Sequence, residues 1–154
     1  MGVLTQSAQN GFNYFKKIKY NDVTETVSGT EEVITAFTIP SDAIVGNVAY
    51  YLKEEFAGGS VSALTIEVGD SDDDDGYVVA NSILSGATPI SSAVSDGAYH
   101  NDGTTANSVN GKVYDNASTK SLTVTLNPTG DALTALTSGE LYIFANIIDL
   151  TTEI

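Results

Sequence analysis

The strongest constraint on the fold is an alternation running from Ile44 to Phe56. Ile44, Gly46, Val48, Tyr50, Leu52, Glu54 and Phe56 occupy one parity, and Asn47, Tyr51, Lys53 and Glu55 occupy the other. A period of two is the spacing of extended backbone, and an apolar parity beside a polar one predicts a strand with one face in a core and the other toward water or a partner. Such a strand is not stable alone, so the rest of the chain must supply its sheet.

Further stretches repeat the pattern. Phe12, Tyr14, Ile18 and Tyr20 share a parity opposite Lys17 and Lys19, which predicts a first strand with one packed face. Val33, Thr35, Phe37 and Ile39 alternate up to Pro40, which cannot donate to a ladder and ends the strand. Leu64, Ile66 and Val68 run into a turn between Gly69 and Gly76, and Tyr77, Val78 and Val79 leave it, so 63–80 reads as strand, acidic loop, strand, the expected central hairpin. A weaker run spans Thr88 to Val94. Residues 96–118 carry Asp96-Gly97, Asn101-Asp102-Gly103, Asn110-Gly111 and Asp115-Asn116, and read as a long excursion with at most a short hairpin at Lys112 to Tyr114. Leu122, Val124 and Leu126 resume the alternation until Asn127-Pro128, and 131–136 has the spacing of one short helical turn. Leu141 to Leu150 is apolar on both parities, which places it centrally or at a subunit contact. The expected fold is all-β: an antiparallel β-sandwich, jelly-roll-like, with the helical turn near 131–136. Residues 1–11, small, polar and without periodicity, are expected to form an extended arm, and 12–154 a single domain.

Charge narrows the function. The 154 residues carry 20 acids against six lysines, a formal charge of -14. This opposes nucleic-acid binding, because phosphate recognition needs clustered Arg and Lys, and the one basic cluster is Lys16, Lys17 and Lys19. That triplet reads either as the solvated side of a strand or as a contact for an acidic partner. With no cysteine there is neither a disulfide framework nor a thiolate metal site. No run reaches the ~20 apolar residues that span a bilayer, so no membrane is expected as a partner. The first residues lack the pattern of a signal peptide, so the protein is expected to be made in the cytoplasm and kept there unless carried in a larger particle.

The densest chemistry is acidic. Asp70, Asp72, Asp73, Asp74 and Asp75 place five carboxylates within six residues, a loop that either splays into water or holds a hard cation such as calcium through Asp70, Asp72, Asp73 and Asp75. The EF-hand template fails, because with Gly76 at its sixth position the first and twelfth fall on Ser71 and Ser82. His100 is the one histidine and stands in no catalytic motif. No phosphate-binding glycine loop or nucleophile elbow is present, and Asn116-Ala117-Ser118 matches a glycosylation sequon that, without a secretory signal, reads as coincidence. Tyr50 and Tyr51 are adjacent on opposite faces of a strand, so one of them, Tyr51, is expected to point outward as a partner contact or to lie on the sheet surface. No enzymatic activity is expected.

One resemblance sharpens this. Thr38-Ile39-Pro40-Ser41-Asp42-Ala43-Ile44-Val45, then Phe56-Ala57-Gly58-Gly59-Ser60, then Ile66-Glu67-Val68-Gly69-Asp70 with Asp75-Gly76-Tyr77, resemble a pattern of small virion structural proteins of tailed bacteriophages. The similar stretch covers about residues 36–80 and consists of turn chemistry, so no functional residue transfers with it. It implies a β-sandwich of capsid decoration (cement) type, a homotrimer on the capsid exterior with the major capsid protein as partner. Lys16, Lys17, Lys19 and Tyr51 are the expected contact residues, and no cofactor beyond a loop-bound calcium is expected. The alternatives are a tail-fibre or host-surface glycan-binding module, using loop 96–118, and a calcium-dependent carbohydrate-binding or hydrolytic domain.

Overall fold

The computed structural model describes residues 2–3, 11–85, 96–99, 111–115 and 118–151. Nine strands follow in order: β1 (Gly2–Val3), β2 (Tyr14–Lys19), β3 (Glu32–Ile39), β4 (Asp42–Ala57), β5 (Ala63–Gly69), β6 (Val78–Ser82), β7 (Lys112–Asp115), β8 (Lys120–Thr129) and β9 (Ser138–Asp149). One sheet has the order β1-β2-β9-β4-β7 and the other β3-β8-β5-β6. His100, the run 88–94 and Asn116 lie outside the described residues.

The named strands pair antiparallel, and the pairing is nested: β2 with β9, β3 with β8, β4 with β7, β5 with β6. Those four pairs form one double-stranded ribbon. Rolled up, the ribbon brings β9 beside β4 and β8 beside β5, and the result is the jelly-roll-like sandwich that the strand count predicts. The apolar parities of both sheets meet in one core, where Tyr50, Tyr77, Tyr114, Phe37 and Phe56 are its largest fully buried side chains. The helical turn is there as a 3-10 turn at Leu133–Ala135, closed by Ala135 and Leu136 amides on Ala132 and Leu133 carbonyls, with Leu133 buried.

Three readings change. The 63–80 hairpin is the innermost pair of the ribbon and not the centre of a sheet, since β6 is an edge strand. The parity of β4 breaks at a register shift between Val45 and Val48, so Ala43 and Val45 are buried in the core and Ile44 faces out. A bulge adds one residue and exchanges the two faces, which strict alternation cannot show. Pro128 does not end β8. It pairs with Leu64 after β3 has run out at Glu32 opposite Leu126, so β8 has an open edge at the proline and no ladder bond is missed there.

Candidate functional site

The turn that leaves β5 carries a buried acid. Asp70 is 3% exposed, yet five donors from three segments of the chain reach it. Lys112 at the start of β7 reaches Oδ2 at 2.7 Å, and Tyr114, two residues on and on the same parity, donates its hydroxyl to the same oxygen. Tyr99 donates to Oδ1 at 3.3 Å, and the amides of Asp72 and Asp73 donate to Oδ1 at 2.8 and 3.2 Å, closing a tight turn. Tyr77 completes the group, its hydroxyl 3.1 Å from that of Tyr114. Lys112 Nζ also contacts Asp72 at 2.8 Å and lies 4.6 Å from the Tyr99 ring centre, a cation–π contact. Lys120 adds a looser contact to Asp72 at 3.5 Å.

Burial by itself pushes the Asp70 carboxyl up, but the hydrogen bonds from Lys112, Tyr114 and the Asp72 amide outweigh it and hold the carboxyl below the usual range. The Tyr114 hydroxyl is pushed well above its ordinary value by burial and by the Asp70 carboxylate. The cluster ties the β5–β6 turn of one sheet to β7 of the other, so it works as an inter-sheet clasp. Both Asp70 oxygens are engaged within the chain.

The acidic loop therefore divides. Asp70 and Asp72 are held by Lys112, whereas Asp73, Asp74 and Asp75 bring carboxylate oxygens within 4.8 Å of one another. The Asp73 carboxylate, which accepts a hydrogen bond from protonated Asp75, together with burial and the charges of Asp73 and Asp74, raises the Asp75 pKa, the sign of crowded like charges. The expected four-residue set of Asp70, Asp72, Asp73 and Asp75 is not one cage: Lys112 occupies one half of it.

The expected contact residues also separate. Lys16 shares the inward parity of Tyr14 and Ile18, and its Nζ caps the Thr35 carbonyl at 2.6 Å, beside the register shift between Thr35 and Phe37 in β3. Lys17, Lys19 and Tyr51 lie on the outer face of the five-stranded sheet, Lys17 opposite Tyr142, Lys19 opposite Glu140 and Tyr51 opposite Tyr142. Lys19 pairs with Glu140 at 3.4 Å.

This outer face is unusual for a solvated sheet. Phe144 touches Phe12 at 5.7 Å and Tyr142 at 6.3 Å between ring centres, and Phe15 pairs with Phe144 across the strands. Below them Val113, Ile44 and Ile148 form a row over β7, β4 and β9, with Val113 60% and Ile148 48% exposed. The outer face of the other sheet carries Thr65 and Glu67 of β5 against Thr125 and Asn127 of β8, with Asn127 donating to Glu67 at 3.0 Å, and Val33 of β3, 56% exposed, beside Thr125. Sequence reading missed Tyr99, Lys112 and Tyr114 as partners of Asp70, and Phe15, Tyr142 and Phe144 as one patch. The signal for the patch was present, because the outward parity of the last strand carries the aromatic residues Tyr142 and Phe144.

No family model matches the chain, and no curated protein matches it. Among solved structures, a chain of the cyanophage Pam1 capsid asymmetric unit is similar in fold, with a TM-score of 0.52 and 16% identity over 94% of this chain and 91% of that one.

Proposed function

We propose that this protein is a non-enzymatic structural component of a bacteriophage virion, a decoration (cement) protein that binds the major capsid protein on the head exterior. The observation that supports this reading is the likeness in fold, across nearly its whole length, to a chain of a phage capsid asymmetric unit. The site fits it: Asp70, the buried acid, is saturated by donors of its own chain and braces the two sheets. The segment before β2 was expected as an extended arm, but its Gly2 and Val3 pair antiparallel with Phe15 and Tyr14 as the edge strand β1, so the contact proposed for it with the shell is made from the sheet edge and not by an arm reaching away from the domain. Because Tyr14–Lys19 is a strand with Ile18 in the core, an attachment test must truncate no further than Gly11.

The experiment mixes the full chain, or residues 12–154, with phage shells that lack it, and reads co-sedimentation and the temperature of shell disruption. The full chain is expected to sediment with the shells and raise that temperature, and the truncated chain to bind at least about tenfold more weakly, a loss of ~1.4 kcal/mol. Failure of the full chain to bind any shell would sink the reading.

A second reading, host-surface glycan binding, is favoured by one feature. A groove of about 530 Å³ beside the clasp is lined by Glu31, Val33, Asp74, Lys120, Ser121 and Thr123, an apolar surface with hydroxyls and charges that sugar hydroxyls could bond. Glycan-array binding by the isolated protein, lost in Thr123→Val, would favour it.

A further inference from the structure

We propose that the aromatic outer face of the five-stranded sheet is a self-association surface, occupied by the same face of a second copy related by a two-fold axis along β9. The proposal goes beyond the virion reading and does not depend on it.

The argument is one of register. In the sheet β9 lies between β2 and β4, so an axis along β9 carries β2 of one copy over β4 of the other. Phe15, Phe144 and Ala49 share one level; Lys17, Tyr142 and Tyr51 the next; Lys19, Glu140 and Glu54 the third. The rotation therefore sets the Lys17 ammonium over the Tyr51 ring and Lys19 over the exposed Glu54, each twice, and brings Phe15 over the level of Ala49, which is itself 2% exposed within its own chain. Phe144 and Tyr142 meet their own copies at the axis, and the two Glu140 carboxylates are each flanked by Lys19 of their own chain at 3.4 Å. The charged pairs are self-complementary, as an isologous contact requires.

Charge argues for the same occupant. Of the six lysines, Lys112 and Lys120 serve the clasp and Lys16 caps Thr35, which leaves Lys17, Lys19 and Lys53 on β2 and β4. Lys17 and Lys53 have no ion-pair partner among the described residues. The face thus sets three lysines per copy beside Glu54 and Glu140, which offsets part of the repulsion between two chains of charge -14. Nine residues of β9 at about 3.3 Å and four strands at about 4.8 Å make a face of roughly 500 Å² per copy. The pair then covers about 1,000 Å², the lower range for a specific interface, so micromolar association is expected. Sheet twist confines the closest match to the middle rows around Phe144.

The test is sedimentation equilibrium of the full chain up to about 1 mM, with circular dichroism to confirm folding. Wild type is expected to reach twice the 16.1 kDa chain mass. Phe144→Lys sets two lysines against each other at the axis and should hold the chain monomeric, as should Phe144→Glu. An equimolar mixture of the two should recover the pair, which misfolded chains would not do. Tyr51→Lys, which faces Lys17, is the second variant and should weaken association at least tenfold. Monomer at every concentration, the homotrimer that the resemblance implies, or an undiminished pair in Phe144→Lys would each overturn the proposal. So would a monomer that binds shells and loses that binding in Phe144→Lys, which would assign the face to the shell.

Discussion

At the scale of the residue, Asp70 decides how the sandwich is pinned. A carboxylate that is 3% exposed is stable only with its donors in place, and Lys112 is the one that carries charge. Lys112→Met should therefore destabilise the fold by about 3 kcal/mol in chemical denaturation, and adding Asp70→Asn should recover part of that loss, because the damage lies in the unpaired buried charge. The same groups set the pH dependence. The depressed Asp70 carboxyl contributes stability that is complete above its unfolded value, about 3.9, and lost as pH falls through the native one. Lys112, raised by Asp70, Asp72 and Tyr99 against the opposing effect of burial, and Tyr114, raised by burial and Asp70, contribute stability complete below about pH 10 and lost as pH rises further. Thermal scans should show a plateau between about pH 5 and 9 with a fall on each side, and Lys112→Met should flatten both falls. Asp70 was visible in the sequence as an acid near a turn, but its partners Tyr99, Lys112 and Tyr114 stand 29, 42 and 44 residues away, beyond the reach of any local pattern.

At the scale of the element, period two located the strands and the turn residues located most of their ends. Gly58 and Gly59 follow β4 with φ of 140° and 57°, and a Cβ on Gly58 would overlap the Thr137 amide and the Ala135 carbonyl. Gly29, at φ 71°, has nothing within 4 Å. Gly29→Ala should cost about 1 kcal/mol for its backbone alone, whereas Gly58→Ala should cost about 3 kcal/mol or more, a contrast readable from two melting curves. In the acidic loop the signs reverse. The Asp75 pKa is raised, so its contribution is lost as pH rises past its unfolded value, and Asp75→Asn should raise the melting temperature at pH 7. A calorimetric titration with calcium tests the cation reading of the same loop, since a bound ion would turn that gain into a loss. The β4 bulge and the continuation of β8 through Pro128 were not legible, because each is set by where a neighbouring strand stops or slips and not by the residues of the strand itself.

At the scale of the whole molecule, the nested pairing joins the two ends of the chain first to last. Tyr14 pairs with Ala145 and Lys19 with Glu140, so the outermost pair must close a loop of more than a hundred residues. Topologies dominated by such contacts fold on the millisecond-to-second scale, and stopped-flow refolding is expected to fall there. Removing residues 1–19 deletes β2 together with Ile18 and should abolish the cooperative thermal transition, whereas removal of 1–11 should preserve it. From the sequence alone came the all-β class and the central place of the last strand, because each rests on local periodicity. Tertiary structure decided the rest. Rolling the ribbon brought Lys112 and Tyr114 onto Asp70 and turned Lys16 to the inward parity of β2, where it caps the Thr35 carbonyl. It also aligned Phe15, Tyr142 and Phe144 into one apolar face, since strand neighbours in a rolled sheet are set by loop closure and core packing, which no single segment encodes.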